Sequence, residues 1–219
     1  MKPELYAHPF SSYCQKVLTA LYENATPFDF RLIQFQDRAD EEALEAAWPM
    51  KRFPVLLDDG RTIVESTVII EYLQHYHPGA VRLIPDDFDA ALEVRMLDRV
   101  FDNYVMTPLQ KIVFDRMQPD PDRDAAGVAS ARRILDMAYR WLDGKLAGRA
   151  WAAGEDFSMA DCAAAPSLFY ADWVHEIGTG LTHLRRYRDA LLSRPSFACA
   201  VEEARPYREL FPGGAPDRD

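Results

Sequence analysis

The first 76 residues alternate between two hydrophobic periods. Leu5-Tyr6-Ala7 is a short apolar run, and Cys14, Val17, Leu18 and Leu21 follow at i, i+3, i+4 and i+7, one face of a helix. Phe28, Phe30 and Leu32 alternate with Asp29 and Arg31, the period of a strand. Asp40 to Trp48 predicts a short, acidic, mostly solvated helix. Phe53-Pro54-Val55-Leu56-Leu57 and Thr62-Ile63-Val64 flank Asp58-Asp59-Gly60, a hairpin signal because glycine supplies the positive φ such turns need. Ile69, Tyr72, Leu73 and Tyr76 restore the helical stripe. The predicted order is β-α-β-α-β-β-α.

The rest of the chain reads differently. Pro78, Gly79, Pro85, Asp86 and Asp87 make a linker over 79–87 with breakers and few core residues. After it no strand is predicted. Leu92, Met96, Val100 and Tyr104 run down one long helix with a kink expected at Pro108. Ala131, Ile134, Leu135, Ala138, Trp141 and Leu142 mark a second, and shorter helices are expected at 159–174, 181–192 and 196–204. The Gly-, Pro- and Asp-rich tail from Pro212 is expected to fray. A small α/β domain (1–78) thus precedes an all-helical one (88–219).

Composition narrows the function. The 219 residues are 48 % hydrophobic and 27 % charged, ordinary for a globular chain. No apolar run is long enough to span a membrane, and Met1-Lys2-Pro3-Glu4 opens no signal-peptide core, so a cytoplasmic location is expected. The net charge of −10 argues against nucleic-acid binding. It divides evenly: 7 basic and 12 acidic residues lie in 1–78, and 18 and 23 in 79–219, so no basic half is hidden. Cys14, Cys162 and Cys199 are odd in number and lack Cys-x-x-Cys spacing, as expected of reduced thiols. His8, His75, His77, His175 and His183 form no i, i+4 pair, so no metal site is predicted.

The chemistry sits at element junctions. Ser11-Ser12-Tyr13-Cys14 falls where the first helix begins, and its unpaired N–H groups and dipole favour an anion, including a thiolate. Redox domains of this topology carry Cys-x-x-Cys there; with Ser11 in the first position, dithiol exchange within the motif is impossible. The alternative is that Ser12 caps the helix in a capping box with Gln15, while Cys14 is core. Phe53-Pro54 opens the third strand. A cis bond there would turn backbone groups toward an extended ligand, whereas a trans proline would simply start the strand. Glu65-Ser66 precedes the third helix and suits the ammonium and carboxylate of an amino acid, or else is a cap beside a surface acid. Lys51 and Arg52 could clamp a second carboxylate or be solvated surface. Ser158-Met159-Ala160-Asp161 reads as a structural capping box, with Phe157 stapled before it.

These four motifs, in order and spanning both domains, resemble the cytosolic glutathione transferases: Ser11 to Cys14, Pro49-Met50-Lys51-Arg52-Phe53-Pro54, Glu65-Ser66 and Ser158 to Asp161. The resemblance implies a thioredoxin-like domain followed by a helical bundle, with glutathione as co-substrate and no metal. The paired serines look most like the serine-type classes, which implies that Ser11, or its neighbour Ser12, hydrogen-bonds the glutathione sulfur. It further implies that Phe53, before a cis Pro54, meets the cysteinyl backbone, that Arg52 or Lys51 faces the glycyl carboxylate, and that Glu65 and Ser66 hold the γ-glutamyl end. Trp48 stands where the family usually has Asn. A small hydrophobic electrophile would then react in a pocket between the domains, which Tyr104, Met106 and Phe114 could line, unless they are bundle core. A homodimer across the third and fourth helices, with Tyr72 and Leu97 at its interface, and a detoxification role are implied by the same likeness. The rivals are a non-catalytic regulatory relative and a glutathione-dependent isomerase or thiol reductase working through Cys14.

Overall fold

The computed structural model describes residues 2–34 and 36–219; Met1 and Phe35 lie outside them. The expected order is found: β1 (Glu4–Ala7), α1 (Ser12–Glu23), β2 (Asp29–Leu32), α2 (Arg38–Ala47), β3 (Val55–Asp58), β4 (Arg61–Val64) and α3 (Ser66–Tyr76). The sheet runs β2-β1-β3-β4. β1 is parallel to β2, as a helical crossover requires, and antiparallel to β3, which turns back into β4. The turn is Asp59-Gly60, with φ of 47° and 73°, so both central residues are left-handed as a tight hairpin demands.

Strand alternation sorts side chains between two cores. Leu5, Ala7 and Leu56 face the main core with α1 and α3, while Tyr6 and Val55 face a small one under Leu44 of α2. β2 departs from its sequence pattern. Phe30 is exposed, because this edge strand has little laid over it, and Ile33 just beyond it is the buried anchor.

The helical part comprises α4 (Phe88–Val100), α5 (Thr107–Arg116), α6 (Ala125–Lys145), α7 (Met159–Val174), α8 (Thr182–Ser193) and α9 (Pro195–Ala204). Between α4 and α5 the helix continues as a π-helical stretch, Phe101–Met106, and Thr107 N–H reaches back five residues to the Asp102 carbonyl. Pro108 lacks the N–H its fourth predecessor's carbonyl would use, and this widened turn, rather than a bare proline kink, precedes it. The buried face of α4 is Ala91, Val94 and Leu97. The expected stripe of Leu92, Met96 and Tyr104 is instead the outer one, because this helix is apolar on two sides and spacing alone could not choose. Trp141 likewise points outward.

Two weakly patterned segments are tied down. In the linker, Leu83 and Ile84 are core residues; Gln74 pairs with the Ile84 backbone in both directions, and the Leu83 carbonyl accepts from Met159 N–H. The tail does not fray. Phe211 is buried among Phe10, Tyr170 and Trp173, Asp219 pairs with Arg205 and Arg208, and Arg218 pairs with Asp172.

Candidate active site

The main core continues from the sheet through α1 into the bundle, with α1 packed against both α7 and α9. Helix α1 is therefore buried almost all round from Cys14 to Leu21, including Gln15, Lys16 and Thr19, which lie off the Cys14, Val17, Leu18 and Leu21 stripe. Gln15 forms no capping box: its amide donates to the Pro9 carbonyl and to the Tyr170 hydroxyl.

Both helix starts at the proposed site lie one residue earlier than expected. Ser11, not Ser12, is the N-cap of α1, in extended conformation (φ −83°, ψ 125°), and its side chain makes no capping bond. Ser12 is the first helical residue. At α3 the cap is Glu65 rather than Ser66, again with no side-chain capping bond, and its φ of 68° is left-handed without glycine's freedom. The offset follows from chain entry: each serine already has helical geometry, so its hydroxyl cannot swing back to the first-turn N–H groups. Two helix N-termini are thus left without side-chain caps, and both helices begin at the same end of the sheet, beside the loop that opens β3.

The Ser11 side chain hydrogen-bonds the Cys14 thiol. Cys14 is fully buried, and burial pushes its thiol up to about 12 despite that bond. A thiol without access to solvent or a thiolate form is a poor nucleophile, which weakens Cys14 as the working group. Tyr13, half-buried beside it, is raised to about 12, by burial first and then by the charge of Asp102, so it stays a phenol. His8 precedes the turn. Its Nδ1 accepts from Phe10 N–H at 3.1 Å, and burial lowers its pKa.

The Phe53–Pro54 bond is cis, as expected, immediately before β3. Lys51 and Arg52 are both exposed but differ. Lys51, left-handed at φ 51°, pairs with Glu45 of α2 at 2.7 Å, whereas Arg52 has no ion-pair partner among the described residues.

A cluster that sequence reasoning missed fixes these pieces relative to one another. Lys16 of α1, only 1 % exposed, contacts Asp98 at 2.6 Å, Asp102 at 2.8 Å and the Thr67 hydroxyl at 2.9 Å. Thr67, the residue after Ser66, donates to Asp98, and Arg99 contacts Asp98, Asp102 and Thr67. Two cations and two anions therefore meet at the start of α3, between α1 and the end of α4. Burial is the main reason that Asp102's carboxyl titrates above its ordinary value, against the pull of Lys16. Removing one member would strand a buried charge, about 3–5 kcal/mol. The sequence signal was faint: Asp98 and Asp102 at i, i+4, with a lysine in an otherwise buried helix 80-odd residues earlier.

Of the expected pocket residues, Tyr104 and Phe114 are exposed on the long helix, while Met106 is packed in the bundle core and cannot line an open pocket. Among the described residues no group of three metal-ligating side chains comes together.

Profile comparison settles the family. The model described as glutathione S-transferase, N-terminal domain, matches residues 5–80, and that of the C-terminal domain matches 105–195, about three quarters of the chain in all. The chain belongs to the glutathione S-transferase family. Solved members agree with the fold. A transferase from Methylobacillus flagellatus with glutathione bound superposes with a TM-score of 0.83 at 28 % identity, covering 91 % of this chain and 98 % of that one. One from Methylobacterium radiotolerans, in complex with glutathione sulfonate, superposes at 0.81 and 28 % identity, covering 92 % and 95 %. By sequence, the chain is 26 % identical to a probable maleylacetoacetate isomerase of Drosophila melanogaster over 94 % of this chain and 90 % of that protein. It is also 28 % identical to glutathione S-transferase theta-1 of Mus musculus over 81 % and 74 %. Family and fold thus match the resemblance read from the motifs, and no helix among the described residues is long and apolar enough to cross a membrane.

Proposed function

We propose that this glutathione transferase ionises glutathione at Ser11 and delivers the thiolate to a small, largely apolar electrophile. The observation that carries most weight is the pair of helix starts without side-chain caps, Ser11 on α1 and Glu65-Ser66 on α3, held together by the Lys16 cluster. In this reading the γ-glutamyl ammonium meets the exposed Glu65 carboxylate, and its carboxylate meets the first-turn N–H groups at Ser66. The cysteinyl backbone pairs with Phe53 beside cis Pro54. The glycyl carboxylate takes Arg52, since Lys51 is engaged by Glu45. The sulfur lies near the start of α1, where Ser11 donates a hydrogen bond and the helix dipole adds to it, as in the serine-type classes; Ser12 is half-buried one residue on.

A free thiol has a pKa of roughly 8.5, so lowering it by about two units stabilises the anion by about 2.7 kcal/mol. One charge-assisted hydrogen bond and a helix terminus together are of that size. The relatives named maleylacetoacetate isomerase favour a second outcome from the same thiolate: addition and release without a leaving group. Retention on immobilised glutathione, with thiol-dependent turnover of a small electrophile, tests the proposal. Binding without turnover would point to a regulatory relative instead.

The assembly we propose is a homodimer. On α3 and α4, Val68, Tyr76, Phe88 (75 % exposed), Leu92 and Met96 are large apolar side chains left exposed, and exposed apolar surface of this kind suits a partner. Leu97, 1 % exposed within the subunit, is not part of it. A monomeric mass by light scattering at micromolar concentration would rule the dimer out. A cytoplasmic, detoxifying role accords with this chemistry.

A further inference from the structure

An open cavity of about 530 Å³, nearer a surface depression than an enclosed chamber, lies between the ends of α5 and α7 and the C-terminal segment. Arg116, Trp173 and residues 213–216 form its wall, with Arg123 at the rim. Arg116 is half-buried, and among the described residues its one hydrogen bond is a long one, Nη1 to the Pro212 carbonyl at 3.3 Å. Among the described residues no carboxylate pairs with it. Its charged neighbour is Arg132, and burial first, then that like charge, lowers its pKa. Acidic residues outnumber basic ones 35 to 25, so counter-ions are not scarce. Arg149, Arg188, Arg194 and Arg208, which are buried to similar degrees or more, each face Asp or Glu. Arg123 at the rim is already paired, with Asp120 at 2.9 Å.

The surroundings keep that guanidinium uncovered. Gly213 and Gly214 are left-handed (φ 85° and 86°), and a Cβ on Gly213 would stand 3.4 Å from the Arg116 stem. Backbone therefore runs along the arginine, with Gly213 in van der Waals reach of its stem. Trp173 supplies an apolar part of the wall, and its buried indole Nε1 has no hydrogen-bond partner among the described residues. The same indole packs against Phe10 at 6.4 Å, and Phe10 is joined directly to Ser11. One aromatic layer thus connects the cavity with the turn that carries the proposed thiol site.

We propose that this cavity receives the carboxylate end of the electrophile, which makes the second substrate an organic acid with an apolar body and Arg116 its specificity-determining residue. The assignment rests on the transferase reading above and narrows it. The guanidinium offers a planar fork to the carboxylate, and Trp173 in the cavity wall offers apolar surface to the body.

The test uses two aryl chlorides of one leaving group, chlorodinitrobenzene and its carboxylate, chlorodinitrobenzoate. In each reaction glutathione loses its thiol proton to water. The sulfur lone pair then forms the S–C bond, and chloride departs with the C–Cl pair. The wild type is expected to show the lower KM for the benzoate, with that preference fading as salt is added. Arg116→Gln should raise the benzoate KM relative to that of the neutral chloride by about ten- to a hundredfold, the loss of one charged hydrogen-bonded pair, and Arg116→Lys should recover part of it. Calorimetric titration of nitrobenzoate into the glutathione-loaded protein gives a readout without turnover. Binding should weaken by a similar factor in Arg116→Gln. Equal KM changes for both chlorides, or unchanged nitrobenzoate binding in Arg116→Gln, would overturn the proposal. Turnover of neither chloride, with nitrobenzoate binding still dependent on Arg116, would remove the transferase reading and leave the carboxylate site standing.

Discussion

Helices α1 and α7 each start at a serine, yet the two starts are built on opposite plans. At α7, Ser158 donates from both N–H and hydroxyl to Asp161 Oδ2, at 2.8 and 2.9 Å. The other oxygen of Asp161 accepts from Ala152 N–H and the Tyr187 hydroxyl, and the whole knot is buried. At α1 the Ser11 side chain makes no capping bond and meets the Cys14 thiol instead, and the α3 start at Glu65 likewise has no side-chain cap. Donors are consumed where the helix serves only the fold, and left unspent where three segments converge on the proposed glutathione site. A serine before an apolar stripe therefore carries two meanings, and the carboxylate three residues on separates them.

The contrast can be broken most severely at Asp161. Asp161→Ala leaves the Ala152 and Ser158 N–H groups and the Tyr187 hydroxyl buried without an acceptor, so urea unfolding should show a loss of more than about 3 kcal/mol. Ser158→Ala, which keeps Asp161 as acceptor, should cost about 1 kcal/mol. Comparable losses in the two variants would mean that the knot is not centred on the aspartate.

Ser11→Ala addresses the other plan. Turnover near neutral pH should fall about ten- to a hundredfold and the pKa of bound glutathione should rise, while glutathione affinity changes little, since its ends are held elsewhere. The dipole of α1 remains, so some activity should survive. Thiolate absorbance titrated against pH gives the answer. An unshifted bound-thiol pKa in Ser11→Ala, with a shifted one in Ser12→Ala, would move the role one residue along.

The far end of α1 sharpens the comparison, for it is closed where its start is open. Glu23, its last residue, accepts from Arg194 Nε at 3.0 Å and Ser196 Oγ at 2.7 Å, next to α9. Burial opposes its ionisation, but those hydrogen bonds and the charge of Arg194 prevail and hold it below its ordinary 4.5. A carboxyl depressed in the folded state contributes stability above its unfolded pKa and loses it as pH falls through the folded value. Ser196→Ala should accordingly cost about 1 kcal/mol near pH 7 and less once acid has protonated Glu23. A cost that is the same at both pH values would show that the hydroxyl does not act through Glu23.

The smallest effect is the most discriminating for cap placement. Ser12→Ala should change stability by less than about 0.5 kcal/mol, because Ser12 sits inside the helix and caps nothing. A loss of a full kilocalorie would restore it as the cap.

What could be read from the sequence was what neighbours in sequence decide. Element order followed from period, the Asp59-Gly60 hairpin from turn chemistry, and the α7 capping box from a reciprocal pair three residues apart. The four motifs pointed to the family for the same reason. Placement of the α1 and α3 caps was missed by one residue, because the path by which the chain enters a helix leaves no mark on composition. Glu65 adopts a left-handed backbone that its residue type does not announce. Lys16 was not singled out because its carboxylate partners, Asp98 on α4 and Asp102 on the π-helical stretch, lie far along the chain. Arg116 was passed over beside Phe114, since a lone arginine on a helix end has meaning only once a tail glycine is seen lying against it.

The buried Lys16 cluster also bears on how such a chain can be recombined. Its lysine comes from the α/β half and its two carboxylates and Arg99 from the helical half, so a break in the linker separates Lys16 from the acids. A chimera that joins this helical half to a relative's α/β half lacking a lysine here would carry two acids into an apolar seam, balanced by Arg99 alone. One that carries lysine across would assemble. The halves are interchangeable only with partners that supply the matching charge, and this single position acts as a compatibility key between modules that the fold would otherwise let be exchanged freely.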